Sequence, residues 1–208
     1  MSTGFQDTLF GAVDETPAIS RSARGQRIML TGGAWVDVVP GWLAGSAQLF
    51  DRLVDSVPWR SEQRQMYDRV VDVPRLAAYY AEGDALPDPT VVEMREELSA
   101  RFAPELPEGF ATAGLCFYRN GADSVAWHGD RIGRGKHSDT LIAIVSLGAP
   151  RTLMMRPRGG GPSRRFPLGS GDLLVMGGSC QRTWDHAVPK EKGAGPRISV
   201  QFRPSGVW

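Results

Sequence analysis

The tetrapeptide Trp127-His128-Gly129-Asp130 is the part of the sequence from which we infer the expected fold. It ends a short apolar segment that reads as a β-strand, and side chains at positions i and i+2 of a strand project from the same face. His128 and Asp130 can therefore reach one point in space. His186, the histidine that would complete a three-residue cluster, comes 58 residues later. Only a fold that brings strands distant in sequence together can join the three.

Short strands separated by glycine, proline and aspartate dominate the chain from Ala113 onwards. Seven such segments at this spacing are typical of a β-sandwich or a barrel. We therefore predict an α+β protein that is mainly β, in which N-terminal helices pack on one sheet of a jelly roll. The predicted strands lie near residues 113–119, 124–128, 140–147, 151–156, 172–176, 183–188 and 197–203.

The length of 208 residues fits one ordinary domain, and a hydrophobic content of 41% is enough for a core. We assign residues 28–208 to this domain. Its helical and substrate-binding region is expected over residues 28–109, and its jelly-roll core over residues 110–208. The polar residues 1–27, which are rich in serine and arginine, are expected to form a flexible arm.

Helix signals lie in the N-terminal region, and they come from apolar periodicity, a first-turn proline and a capping residue. A pair of short strands broken at Gly32-Gly33 is expected over residues 28–39. In the second half, the glycine-rich basic stretch 157–169 lacks the ending of a phosphate-binding loop, so we interpret it as a flexible connection. The predicted helices are Leu43–Val57, Pro74–Ala81 and Pro89–Phe102, the last with Asp88 as its N-cap.

Composition also restricts the compartment and the partners. No segment approaches the roughly 20 apolar residues of a membrane span, and no export signal is visible. The missing export signal, together with a content of only two cysteines, Cys116 and Cys180, favours a location in the reducing cytoplasm.

The charge is distributed unevenly along the chain. Residues 1–109 carry 10 Lys and Arg against 17 Asp and Glu, whereas residues 110–208 carry 14 against 6. A basic second half suits nucleic acid, unless the two halves fold together and their charges cancel.

Two imidazoles and one carboxylate form the facial triad of non-heme Fe(II) oxygenases, which leaves coordination positions open for a cosubstrate and O₂. His128, Asp130 and His186 match this set of ligands. An isolated H-x-D tripeptide is a weak motif, and most such pairs are surface residues or satisfied core pairs. The chain has three histidines, however, and two of them fall in the pattern. The third, His137, is most simply a loop residue.

The stretch Arg197-Ile-Ser-Val-Gln-Phe-Arg203 alternates polar and apolar residues, so both arginines point to one side of a strand. Burying two guanidinium groups is costly without anionic partners. A dicarboxylate cosubstrate would be a suitable partner, because arginine binds carboxylate through two parallel hydrogen bonds. The alternative is a solvated edge strand with a basic face. Because the arginines follow His186 so closely, we prefer the cosubstrate interpretation.

Five blocks of the sequence carry a resemblance to a known family: these are residues 118–130, 146–152, 168–177, 184–190 and 196–203. In this order they resemble the AlkB family of Fe(II)- and 2-oxoglutarate-dependent dioxygenases, of the bacterial type that repairs alkylated DNA. The resemblance covers residues 74–203 and implies a double-stranded β-helix, which is a jelly roll. It also implies Fe(II) as the metal, 2-oxoglutarate as cosubstrate and O₂ as oxidant.

The resemblance further implies a role for each matching residue. His128, Asp130 and His186 would bind iron. The residues implied for 2-oxoglutarate are Arg197 at its distal carboxylate, Arg203 beside its metal-bound end, Tyr118 as a hydroxyl donor, and Ser199. The residues implied for the substrate base are Arg64, Met66, Tyr67, Tyr80, Gly129 and Arg131. For Tyr80 and its neighbour Tyr79, the alternative to a substrate contact is ordinary packing of a helix, and the sequence favours neither.

Three positions depart from the family pattern. The family usually has asparagine where this chain has Cys116 and Ser199, so two hydrogen-bonding side chains near the cosubstrate are shorter. This predicts weaker or water-mediated binding of 2-oxoglutarate. Related repair enzymes often have a carboxylate where this chain has Ile132, which cannot accept a hydrogen bond from an exocyclic amine. The base preference therefore stays open.

We expect a monomeric enzyme that oxidatively demethylates DNA bases of the 1-methyladenine and 3-methylcytosine type, releasing formaldehyde, succinate and CO₂. Such a base would have to be flipped out of a duplex or be single-stranded. The same chemistry on RNA, on a tRNA base or on a protein side chain is the main alternative. A non-catalytic binding module and a metal-storage or sugar-binding jelly roll are others, although the two arginines would have no purpose in the last.

Overall fold

A computed structural model describes residues 16–66, 69–130 and 133–207, and side chains within these ranges except those of residues 62–66, 69–72 and 134. Within the described residues the chain forms fourteen β-strands and three α-helices. The strands are β1 (Ala18–Ile19), β2 (Gln26–Met29), β3 (Ala34–Val39), β4 (Leu43–Ala44), β5 (Arg60–Met66), β6 (Arg69–Tyr80), β7 (Thr112–Tyr118), β8 (Val125–His128), β9 (Ile142–Gly148), β10 (Arg151–Pro157), β11 (Arg164–Leu168), β12 (Leu173–Gly178), β13 (Trp184–Val188) and β14 (Arg197–Arg203). The helices are α1 (Ser46–Ser56), α2 (Pro89–Arg101) and α3 (Cys180–Thr183).

Two antiparallel sheets form the body of the fold. The larger sheet has the strand order β2-β3-β12-β9-β14-β7-β6-β5, and the smaller sheet has the order β11-β10-β13-β8. From β7 onwards the chain passes repeatedly between the sheets, so that β7, β9, β12 and β14 face β8, β10, β11 and β13. Eight antiparallel strands arranged in this way form a double-stranded β-helix, or jelly roll. The predicted fold class is confirmed, and so are all seven predicted strands.

The two faces of the larger sheet bury different cores. One face meets the smaller sheet across a cluster to which β9 and β12 contribute Ile144 and Met176, and to which β10 and β11 contribute Met155 and Phe166. The other face is covered by α1 and α2. The helices therefore seal one side of the larger sheet and leave its opposite side as the inner wall of the jelly roll. The helical residues fully buried there are Leu49, Leu53, Val91, Met94 and Leu98.

Helix α2 begins at the predicted cap. Asp88 has an extended backbone conformation, its carboxylate accepts a hydrogen bond from the backbone N–H of Thr90 at 2.8 Å, and Pro89 occupies the first turn. The same carboxylate is 2.8 Å from Nε of Arg52 in α1, and its side chain is 7% exposed. Asp88 thus both caps α2 and joins the two helices.

Replacing Asp88 with alanine should lower the free energy of unfolding by about 2 kcal/mol, because a cap and one half of a part-buried ion pair are lost together. Asp88→Asn keeps an oxygen that can cap the helix but loses the charge, so it should cost less. Urea unfolding followed by circular dichroism would compare the two variants. Equal losses would show that the capping hydrogen bond contributes nothing.

Three sequence predictions about secondary structure need correction. The first helix was expected over Leu43–Val57, but α1 begins at Ser46 and Leu43–Ala44 forms strand β4. Residues 74–81 were expected to form a helix, but residues 74–80 belong to strand β6, which pairs with β5 on one side and β7 on the other. Pairing with the neighbouring strand β5 and with the more distant strand β7 has overridden the local signal of Pro74. Residues 157–169 were expected to be a loop, but residues 164–168 form β11, which pairs with β10 along its whole length.

The expected arm at residues 1–27 also needs correction where it is described. Ala18–Ile19 pairs with β4, and β2, which starts at Gln26, pairs with β3. Arg21 forms ion pairs with Glu93 and Glu97 of α2. Residues 16–27 are therefore attached to the domain, while residues 1–15 lie outside the described residues. In the described part of the chain, no helix is long and apolar enough to cross a membrane.

Candidate active site

His128, Asp130 and His186 converge between the two sheets. His128 ends β8 and stands directly opposite His186 of β13, and Asp130 follows two residues later. One potential ligand atom from each residue lies within 4.8 Å of the other two. The centroids of the two imidazole rings are 4.2 Å apart. Two imidazole nitrogens and a carboxylate oxygen at these distances are the donor set of a facial triad, so the three residues could hold one divalent ion such as Fe(II).

A hydrogen bond determines which nitrogen of His128 is available to a metal. Nδ1 is 2.8 Å from the backbone oxygen of Ala126. Because a carbonyl can only accept, Nδ1 carries the proton and Nε2 presents its lone pair. Nε2 is also the atom that lies 3.8 Å from Oδ1 of Asp130. Burial lowers the pKa of His128, which favours the neutral form that metal binding requires.

Asp130 is buried and held from two sides. Nε of Arg203 donates a hydrogen bond to Oδ2 of Asp130 at 2.7 Å, and the backbone N–H of Asp130 donates to Oε1 of Gln181 at 3.1 Å. Burial alone would raise the pKa of Asp130, but the positive charge of Arg203 and the neighbouring histidines outweigh it and lower the pKa to about 2. The carboxylate is therefore ionised at neutral pH.

Arg197 is buried, with 2% of its surface exposed, and its guanidinium is only partly satisfied. Nε donates to Oγ of Ser146 at 2.9 Å, whereas Nη1 has no hydrogen-bond partner among the described residues. Cζ lies 5.2 Å from the ring centroid of Tyr118. Burial lowers the pKa of Arg197 and raises that of Tyr118 to about 12. A buried cation with an unused donor is costly, and a carboxylate of 2-oxoglutarate would be a suitable partner for it.

Strand β14 has the orientation predicted from its alternation. Its apolar residues pack on the helix side of the larger sheet, and its polar residues face the jelly-roll interior. Tyr118 and Cys116 of β7 stand opposite Arg197 and Ser199. Because β14 lies between β9 and β7, the alternative of a solvated edge strand is wrong. The polar residues on the inner face are Arg197, Ser199, Gln201 and Arg203.

Strand β6 adds two residues to the site that the sequence did not identify. Ala77 pairs with Cys116 and Tyr79 pairs with Gly114, so Arg75, Ala77 and Tyr79 share the inner face. Nε of Arg75 donates to Sγ of Cys116 at 3.3 Å. Tyr79 is 45% exposed. Had residues 74–80 been predicted as a strand, its alternation would have placed Arg75 and Tyr79 on the same face.

Tyr80 lies on the other face of β6 and packs against the helix-side core. The prediction that Tyr80 contacts the substrate is therefore wrong, and Tyr79 occupies the position facing the site. Gly129 lies between two of the candidate ligands, as its position in the sequence requires. The other residues predicted to contact the substrate are not among the described residues and side chains: these are Tyr67 and Arg131, together with the side chains of Arg64 and Met66. Ile132 also lies outside it.

Comparisons with known proteins agree with this geometry. Residues 36–203 match the family described as the 2OG-Fe(II) oxygenase superfamily. The chain is 32% identical over 195 residues to alpha-ketoglutarate-dependent dioxygenase alkB homolog 3 of Mus musculus, covering 83% of this chain and 67% of that protein. It is 27% identical over 228 residues to DNA oxidative demethylase ALKBH2 of Arabidopsis thaliana, covering 91% of this chain and 72% of that protein.

A solved structure described as "The structure of OsALKBH1" has the same fold. It superposes with a TM-score of 0.61 over 86% of this chain and 100% of that chain, at 13% sequence identity. This likeness concerns the fold alone, whereas the family match and the mouse relative concern the sequence. Together with the clustered histidines and aspartate, they show that the chain belongs to the AlkB family of Fe(II)- and 2-oxoglutarate-dependent dioxygenases.

Proposed function

We propose that this dioxygenase removes N-linked methyl groups from nucleic-acid bases, with 1-methyladenine and 3-methylcytosine in DNA as its substrates. The observation that carries the proposal is the convergence of His128, Asp130 and His186 beside the buried and incompletely paired Arg197. The similarity to the Arabidopsis relative, which is named as a DNA oxidative demethylase, supports the substrate class. The basic composition of residues 110–208 supports it as well.

The residues present fit the cofactor and the cosubstrate that the family uses. Fe(II) would be held by Nε2 of His128, a carboxylate oxygen of Asp130 and an imidazole nitrogen of His186. Arg197 and Tyr118 would bind one carboxylate of 2-oxoglutarate, with Ser199 and Arg203 toward its other end. When bound, Fe(II) and 2-oxoglutarate together activate O₂ to hydroxylate a C–H bond, and 2-oxoglutarate leaves as succinate and CO₂.

The chain itself orients these groups and limits access of water. Arg203 keeps the carboxylate of Asp130 ionised and restrains its rotation through the 2.7 Å hydrogen bond. Met155, which is fully buried, lies opposite His186 in β10 and gives the site an apolar neighbour. A base must leave its stack to reach residues placed between two sheets. Hydroxylation of its methyl group gives an unstable N-hydroxymethyl group, whose N–C bond breaks to release formaldehyde and the unmethylated base.

Tyr79→Ala should raise KM for a methylated oligonucleotide about tenfold, because stacking a base on an aromatic ring contributes roughly 1–3 kcal/mol. KM for 2-oxoglutarate should change little. Tyr80→Ala is the matched control, since its ring packs in the helix-side core. It should lower the free energy of unfolding and leave KM for the oligonucleotide near the wild-type value. Steady-state kinetics and urea unfolding of both variants would check this, and the reverse pattern would contradict the assigned faces of β6.

The substrate class is tested by mass spectrometry of competing substrates. Single-stranded DNA carrying 1-methyladenine, the same sequence as RNA, unmethylated DNA and a peptide containing methylated lysine would each be incubated with Fe(II), 2-oxoglutarate and ascorbate. We expect methylated DNA to lose its methyl group fastest. Reaction of RNA or of the peptide alone would replace DNA with that substrate. Succinate formation without any demethylation would contradict all of these substrates.

A further inference from the structure

We propose that Gln201 is a positioning residue of the cosubstrate site, whose amide joins the short side chains of Cys116 and Ser199 to Arg203 and holds that arginine against Asp130. Gln201 lies on the inner face of β14, between Ser199 and Arg203. The inference goes beyond the proposed function, because it concerns the binding of 2-oxoglutarate and holds for any substrate of the enzyme.

The hydrogen bonds of Gln201 determine the orientation of its amide. Oε1 lies 2.8 Å from Nη2 of Arg203. A guanidinium can only donate, so the oxygen of the amide must be the atom that faces it. Nε2 then donates to Oγ of Ser199 at 3.0 Å and lies 3.5 Å from Sγ of Cys116. One side chain therefore connects three residues that line the inner wall of the jelly roll.

Gln201 fixes the plane of the Arg203 guanidinium. Arg203 donates through Nε to Asp130 at 2.7 Å and through Nη2 to Gln201, so two different nitrogens are engaged. Gly114 leaves room for this arrangement, since a Cβ at that position would come within 3.1 Å of Nη1. Without Gln201, one of the two hydrogen bonds would remain and the guanidinium could turn about it. The orientation of the group beside Asp130 thus depends on the amide.

The amide also determines what Ser199 and Cys116 can offer to a ligand. Ser199 accepts a hydrogen bond from Gln201, so its own O–H stays available to donate to a carboxylate. Sγ of Cys116 accepts from both Gln201 and Arg75. From the shortness of these two side chains, the sequence predicts weaker or water-mediated binding of 2-oxoglutarate. A third side chain that reaches both of them is the means by which this chain keeps them ordered.

Gln201→Met tests the proposal, because methionine has a similar length and no amide. Isothermal titration of 2-oxoglutarate into the Mn(II)-loaded protein in the absence of O₂ should give a Kd about tenfold higher than that of the wild type. In turnover, KM for 2-oxoglutarate should rise more than kcat falls. Gln26→Met, at an exposed position of β2, is the matched control and should bind like the wild type.

A second variant and a mutant cycle keep the test decisive. Gln201→Asn retains the amide but is one methylene too short to bridge, so it should weaken binding even if the methionine variant fails to fold. Adding Ser199→Ala to either variant should raise the Kd by a smaller factor than Ser199→Ala does in the wild type, because the effects of hydrogen-bonded neighbours are not additive. Wild-type affinity in both Gln201 variants would overturn the role of Gln201. A wild-type protein that does not bind 2-oxoglutarate would instead overturn the cosubstrate site itself.

Discussion

His186→Ala should abolish turnover and weaken the binding of a divalent metal by more than about 100-fold, because changes in residues that only support a metal ligand already cost 10- to 100-fold. His186 is one of three donors that lie within 4.8 Å of one another, and it is buried opposite His128. Titration with Co(II), followed by its visible absorption, measures the affinity without any turnover. The coordination spectrum should also change, since one nitrogen ligand is lost.

The third histidine provides the control for this experiment. His137 is exposed and does not belong to the cluster. His137→Ala should therefore keep both the affinity for Co(II) and the activity of the wild type. If His186→Ala kept its affinity and activity, or if His137→Ala lost them, the metal would have to bind at a different place.

Arg197→Met should raise the Kd for 2-oxoglutarate about 100-fold or more, because losing one partner of a buried, hydrogen-bonded charge pair costs roughly 2–5 kcal/mol. Without cosubstrate, however, the variant should be at least as stable as the wild type. In the wild type, Nη1 of the buried guanidinium has no hydrogen-bond partner in the described part of the chain, and an apolar residue of similar volume avoids the cost of burying that charge. A gain or no loss of stability together with a loss of binding is what a ligand-binding arginine predicts.

A second buried arginine offers the matched comparison. Arg151 lies on the same tyrosine ring, with Cζ 5.5 Å from the centroid of Tyr118, but its guanidinium donates to the backbone oxygens of Asn120, Asp123 and Pro189. Arg151→Met should lower the free energy of unfolding by about 3 kcal/mol, because three carbonyls lose their donor. Urea unfolding with and without 2-oxoglutarate would measure the free energy of unfolding of both variants and its increase on cosubstrate binding. Equal destabilisation of the two, with unchanged cosubstrate binding in Arg197→Met, would show that Arg197 is a structural residue.

The metal cluster and its arginines could be predicted because they follow local rules. A period of two places His128 and Asp130 on one side of the chain, and the alternation over residues 197–203 places both arginines on another shared face. The register of β14 with β7 confirms the expected alternation. Asp130 lies beyond the end of β8 at His128, but its carboxylate meets both histidines as expected. The expected cytoplasmic location and monomeric state stay predictions.

The wrong assignments depend on pairing between strands, which the pattern within a single segment does not show. Residues 74–81 have a first-turn proline that favours a helix, but β6 is stabilised by pairing with β5 and β7. Because of this error, Tyr80 was predicted to face the substrate instead of Tyr79, since neighbouring residues of a strand face opposite sides. Gln201 could not be assigned for the same reason. Its contact with Cys116 exists because β7 and β14 pair in a register that the sequence does not display.

Succinate and formaldehyde measured together, with single-stranded DNA carrying 1-methyladenine as substrate, test whether this chain is a demethylating dioxygenase. With Fe(II), 2-oxoglutarate and O₂, the wild-type protein should release formaldehyde and repaired DNA in equal amounts, with at least as much succinate. None of the three should form with His186→Ala. Release of formaldehyde without 2-oxoglutarate, or from the His186→Ala protein, would contradict the account. So would a wild-type protein that binds metal and 2-oxoglutarate but releases no formaldehyde from the methylated DNA.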